Sequence, residues 1–131
     1  MSWWQDFADR IEFDAPIGHS TWFRLGGRAR YLFRPRDADD LAMLMNRARQ
    51  DSIPLKVLGG GANVLVRDDG FDGVVVRLDA PVFRSVEQRG TSLWAGAGVD
   101  LMPLCKSCAG KDSPAWRGWR AFRARWAAQY A

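Results

Sequence analysis

Three consecutive glycines, Gly59–Gly61, stand between two short apolar runs, Leu55–Leu58 and Val64–Val66. No other stretch constrains the chain as much. Residues without Cβ adopt φ > 0 and admit close approach of other atoms, so a tight loop is expected here. Successive amide N–H groups in such a loop form a concave anion-binding nest, suited to a diphosphate. The loop is not a Walker A motif, because no Gly-Lys-Ser/Thr follows it. Nor is it a dinucleotide fingerprint, because a strand and not a helix is expected after the glycines. On pattern alone, a structural turn and a phosphate nest remain equally open.

The surrounding sequence predicts an α+β pattern without strict βαβ alternation. Ser2–Arg10 reads as a short helix and Asp14–Ser20 as a turn region around Pro16 and Gly18. Arg28–Arg34 is a strand that stops at Pro35. Asp37 is an N-cap with Asp40 three residues on, and Leu41, Leu44, Met45 and Ala48 then recur at helical spacing, so a helix is expected over Asp37–Gln50. Strands are expected at Leu55–Leu58, Val64–Val66 and Gly73–Leu78, with Gly59–Asn63 as the glycine loop and Arg67–Gly70 as a turn. Val82–Gln88 and Ser92–Ala97 pair as a hairpin, and Asp100 caps a helix over Leu101–Gly110.

Three stretches in series carry a family resemblance: TWFRLGGRARYLFRPRDADDLAMLM, VLGGGANVLVRDDGFDGVVVRL and LWAGAGVDLMPL. Together they resemble the N-terminal part of the UDP-N-acetylenolpyruvoylglucosamine reductase (MurB) family of peptidoglycan synthesis, over about residues 13–110. The resemblance implies an incomplete FAD-binding domain of the vanillyl-alcohol-oxidase (PCMH) type. It implies that Leu58, Gly59, Gly60, Gly61, Ala62, Asn63 and Val64 wrap the FAD diphosphate. It further implies that Gly96, Ala97 and Gly98 lie against the cofactor; a plain strand-end turn is the other reading of that segment. Ala62 stands where the family usually has serine, which removes one hydroxyl donor but no backbone donor. The implied reaction uses NADPH to reduce FAD and passes hydride to the enolpyruvyl double bond of a UDP-sugar. The family's serine, arginine and glutamate that assist this step lie beyond the matching segment, so no catalytic residue is carried onto this chain, and the chain is expected to be inactive alone.

The resemblance stops at Lys111–Asp112, where the composition also changes. The whole chain has net charge +4 and seven tryptophans. Residues 1–111, however, hold 15 of the 19 basic and 14 of the 15 acidic residues and are nearly neutral. The last twenty, DSPAWRGWRAFRARWAAQYA, hold four arginines and three tryptophans. The family continues here with a segment of the type Gly-Leu-x-Gly-Leu-Glu-x-Leu-x-Gly-Ile-Pro-Gly-x-Val-Gly-Gly-Ala. Codons that encode the tail, read one base earlier, translate to GLSGLEGLAGIPGTVGGAIR. The middle base of each shifted codon is fixed by the tail residue except where serine or arginine offers two codon families, so the match is tightly constrained. The expectation is two parts: residues 1–111 as the N-terminal part of the FAD-binding domain, and 112–131 as an out-of-frame tail.

The remaining features are weaker. No run is long and apolar enough for a membrane helix, no signal-peptide pattern opens the chain, and two cysteines do not make a disulfide scaffold, so the cytoplasm is expected. Cys105-Lys106-Ser107-Cys108 could be half a zinc site or a redox pair, but it has no second half, so no metal is expected. His19 lies in a turn with no evident partner. The Arg/Trp tail suggests the competing class, a small nucleotide or nucleic-acid binding module. On the out-of-frame reading, no nucleic-acid or membrane partner is expected, and the partners are FAD and, in a longer enzyme, the UDP-sugar.

Overall fold

The computed structural model describes residues 3–90 and 92–109. The expected boundary at Lys111–Asp112 and the tail beyond it lie outside the described residues. The strands are β1 (Ile11–Ala15), β2 (Ala29–Phe33), β3 (Leu55–Val57), β4 (Phe71–Val76), β5 (Val86–Arg89) and β6 (Ser92–Ala95); the helices are α1 (Ala38–Gln50) and α2 (Leu101–Ala109). Four strands form one sheet in the order β1-β2-β4-β3, and β5 and β6 form a separate hairpin. β1 runs antiparallel to β2, whereas β2 and β3 both run parallel to β4. The α+β expectation therefore holds.

β4 is central, and its Val74-Val75-Val76 run is buried on both faces, as a strand covered on two sides must be. Val74 and Val76 join Phe7, Tyr31, Phe33 and Leu44 of α1 in one core. Val75 faces the other way and joins Ala15, Ile17, Ala29, Leu32 and Leu58 in a second. Ala29 and Tyr31 are two residues apart in one strand yet belong to different cores. The register irregularity between them turns the strand over.

α1 begins as its sequence says. The Asp37 side chain accepts from Asp40 N at 2.8 Å. Asp40 itself does not return a bond to the cap. Its Oδ2 accepts from Arg36 N at 3.0 Å, one residue further back, while Oδ1 pairs with Arg10. The capping-box expectation is thus half right, because the shorter aspartate is held by Arg10 and Arg36. α2 starts with Met102 N donating to Asp100 Oδ1 at 3.1 Å.

Four expectations need correction. Over Ser2–Arg10 the described residues hold only a 3₁₀ turn, Gln5–Phe7. Such a segment is too short to stabilise a helix by itself, and its tryptophans are placed by the sheet. Trp3 stacks edge-on against Tyr31 and Trp4 against Phe13, each at 5.0 Å between ring centroids. The turn expected at Asp14–Ser20 is the end of β1 followed by a 3₁₀ turn, Ile17–Ser20. The expected strand at Val64–Val66 does not form. β4 already has β2 and β3 on its two sides, so no ladder position remains beside it. The hairpin is shorter than expected, because Pro81–Arg84 forms a 3₁₀ turn before β5.

Candidate functional site

Parallel neighbours need a long return, usually a helix. Between β3 and β4 that return is irregular chain, residues 58–70. It leaves from Val57, which pairs with Val76, and comes back to Phe71, which pairs with Ala29. The glycine loop therefore opens at the carboxyl ends of the three parallel strands, the usual ligand edge of such sheets.

Its three glycines are not equivalent. Gly61 has φ +71°, and a Cβ there would sit 2.7 Å from Ser20 O and 2.8 Å from Thr21 Cα. Trp22 N also donates to Gly61 O at 3.0 Å. Gly61 is thus required by the fold itself. Around Gly59 and Gly60, by contrast, a Cβ would meet no atom within 4 Å. Nothing among the described residues demands glycine at these two positions. Leu58 is buried, and its amide donates to Val76 O at 2.9 Å. Among the described residues, no amide from Gly59 to Val64 donates to a backbone carbonyl. Ala62 and Asn63 are exposed and Val64 largely so. The loop is an open row of backbone donors anchored at Leu58 and Gly61, which is the chemistry of an anion nest.

The segment before β2 holds this loop in place. Gly27 N donates to Arg67 O at 2.8 Å, Phe71 N to Arg28 O at 2.8 Å and Gly18 N to Gly27 O at 3.1 Å. A Cβ on Gly26, whose φ is +104°, would collide with Val66 O. Thr21 is buried, with Oγ1 donating to Gly18 O at 2.8 Å. Sequence reasoning missed this backbone-on-backbone seam. Its signal was the double glycine Gly26-Gly27 in TWFRLGG, which marks close approach of two chain segments.

The second expected segment is built differently. Gly96 N donates to Ser85 O and Gly98 N to Phe83 O, both at 2.8 Å. A Cβ on Gly96 would strike Phe83 O, and one on Gly98 would strike Leu78 O. Packing against the Pro81–Arg84 turn explains both glycines, and their donors are already engaged. Ala97 between them is exposed. No hydrogen bond joins this turn to Leu58–Val64 among the described residues.

Charged side chains near the loop are mostly paired. Arg67 donates to both carboxylate oxygens of Asp69, at 2.9 and 3.0 Å. That bond holds the Asp69 carboxyl below its ordinary range. Arg34, Arg77 and Arg84 converge on one carboxylate, Asp79, a cluster that sequence reasoning did not find. Among the described residues, Arg77 Nε is buried without a hydrogen-bond partner. A cavity of about 480 Å³ opens elsewhere, among Trp3, Arg30, Tyr31, Pro54 and Asp72. Its arginine is already bonded to Asp72 at 3.0 Å and stacked over Tyr31, and the glycine loop takes no part in it. Cys105 is half-buried on α2, the Cys108 side chain lies outside the described residues, and His19 is exposed. Among the described residues no three of His, Cys, Asp or Glu are grouped to hold a metal ion.

Residues 29–115 match the family model described as FAD binding domain. The chain is 43% identical over 100 residues to a UDP-N-acetylenolpyruvoylglucosamine reductase of Paramagnetospirillum magneticum, a match covering 73% of this chain and 32% of that protein. It is 51% identical over 87 residues to one of Phenylobacterium zucineum, covering 66% and 28%. Among solved structures it resembles the UDP-N-acetylenolpyruvylglucosamine reductase (MurB) of Thermus caldophilus, with TM-score 0.59 and 30% identity over 77% of this chain and 34% of that one. The chain spans about a third of the length of the curated relatives it matches.

Proposed function

The chain belongs to the FAD binding domain family, and on that premise we propose that it is the diphosphate-holding portion of a UDP-N-acetylenolpyruvoylglucosamine reductase (UDP-N-acetylmuramate dehydrogenase), a flavoenzyme of peptidoglycan synthesis. One observation carries the reading: Gly59 and Gly60 leave open the space that a Cβ would fill, beside amides with no backbone acceptor among the described residues. A diphosphate pressed against the backbone gives glycine a reason there that the protein alone does not. Leu58, Gly59, Gly60, Gly61, Ala62, Asn63 and Val64 would hold it through main-chain donors. Gly96, Ala97 and Gly98 would flank the cofactor as shape, since the amides of both glycines are engaged.

FAD, when bound, supplies the hydride chemistry, with NADPH as co-substrate and the UDP-enolpyruvyl sugar as acceptor. The chain's own residues bind and orient. None of the family's assisting side chains falls within it, so it is inactive alone. The same reading divides the chain into residues 1–111, the FAD-binding part, and 112–131, translated out of frame, and places the protein in the cytoplasm without membrane or nucleic-acid partners. No helix among the described residues is long and apolar enough to cross a membrane. The test is flavin carried through purification, read as the flavin absorbance band, together with an NADPH oxidation assay. A flavin band without turnover is expected. NADPH oxidation dependent on the UDP-enolpyruvyl sugar would overturn the inactivity, and absence of any flavin at saturating FAD would overturn the cofactor reading.

A further inference from the structure

We propose that Arg77, with Arg34 and Arg84, forms a phosphate-binding cluster that supplies side-chain charge to the diphosphate held by the glycine loop. The proposal rests on the flavin reading above. The loop offers only neutral donors: Leu58–Val64 contains no cation, and Arg67, the next one along, is committed to Asp69. A diphosphate placed there would lack a compensating charge from within the loop.

The cluster lies at the same edge of the sheet. Arg77 follows β4, its amide donating to Phe33 O at 2.9 Å, while Leu58 N donates to Val76 O at 2.9 Å. Adjacent strands are about 5 Å apart, so the Arg77 backbone stands next to the start of the loop on one side and to Arg34 on the other. Alternation along β4 and β2 puts Arg77 on the face of Val75 and Arg34 on that of Leu32, and these belong to the core that also contains Leu58.

One carboxylate serves three guanidinium groups. Asp79 Oδ2 is 3.4 Å from Arg34 Nε and 3.6 Å from Arg77 Nε, and Oδ1 is 3.6 Å from Arg84 Nη2. Glu12 Oε2 takes a second bond from Arg34 at 3.2 Å. Three cations against two anions leave positive charge in excess. At 3.6 Å the Arg77–Asp79 approach is an ion pair and not a hydrogen bond, and the buried Nε has no acceptor among the described residues. Buried donors are normally satisfied, and a phosphate oxygen is the acceptor that a guanidinium fork fits best.

The experiment titrates the full chain with FAD and, in parallel, with riboflavin, which has the ring but no phosphate. Arg77→Met should weaken FAD binding about tenfold or more, the loss of a charge-assisted contact, and leave riboflavin unaffected. Arg84→Gln, at an exposed side chain, should weaken FAD in the same direction. Arg49→Gln, on exposed α1 surface, should change neither ligand. If Arg77→Met does not fold by circular dichroism, Arg84→Gln decides. Wild type preferring FAD to riboflavin, with Arg84→Gln and any folded Arg77→Met binding FAD as wild type does, would overturn the proposal and leave the flavin reading standing. Wild type that does not prefer FAD to riboflavin would overturn both.

Discussion

At the scale of single residues, Gly60 and Gly61 look alike in sequence and differ in physics. Gly61→Ala forces a Cβ into φ +71° and against Ser20 and Thr21. It should destabilise the chain by more than about 1 kcal/mol, seen as a lower thermal midpoint. Gly60→Ala meets open space. It should leave stability unchanged or raise it by about 0.4–1 kcal/mol, while weakening FAD. Equal destabilisation by both would refute the division. Asp69 gives a pH prediction. Its carboxyl is held down by the Arg67 hydrogen bond, so its contribution is complete above the ordinary carboxylate range and lost as pH falls through the lowered value. Both groups are exposed, so the effect is small. The midpoints of wild type and Asp69→Asn should differ slightly near neutrality and converge in acid. The glycine triplet was legible as a loop. Which of its members the fold requires was not, because that depends on Ser20 and Thr21, distant in sequence.

At the scale of elements, legibility followed how local the cause was. α1 was readable to within a residue because Asp37, the apolar spacing from Leu41 to Ala48 and the stop near Asp51 all act within the helix. Asp37→Ala should cost about 1 kcal/mol of unfolding free energy in a denaturant titration. Leu44→Ala, fully buried against the sheet, should cost about 2–5 kcal/mol. β1 was missed although Ile11-Glu12-Phe13 alternates, because Asp14 and Pro16 carry turn chemistry and the strand is made by pairing with β2, whose partners lie 14 residues away at Ala15↔Ala29 and 22 away at Ile11↔Phe33. Val64–Val66 failed for the opposite reason. Its residues suit a strand, but the parallel β3–β4 pairing uses that stretch as the return path.

At the scale of the whole molecule, apolar surface remains open. Trp22, Leu25, Leu65 and Trp94 are each more than 60% exposed, and the first three lie on the glycine loop and the seam that holds it. The chain spans about a third of the length of its curated relatives. The out-of-frame reading of residues 112–131 belongs to this scale too. Sequencing the source DNA across the Lys111 codon should show two G's, not three, after that codon's AA, with the tail codons given by the shifted translation. Three G's, or different tail codons, would sink a single-base deletion.

The central claim is that the glycine loop holds a diphosphate. Calorimetric titration of the whole chain with FAD and with riboflavin, in wild type and Gly60→Ala, tests it most directly. The account predicts that wild type binds FAD more tightly than riboflavin and that Gly60→Ala loses that preference while remaining as stable as wild type. Equal affinity for the two ligands in wild type, or an undiminished preference in Gly60→Ala, would contradict it.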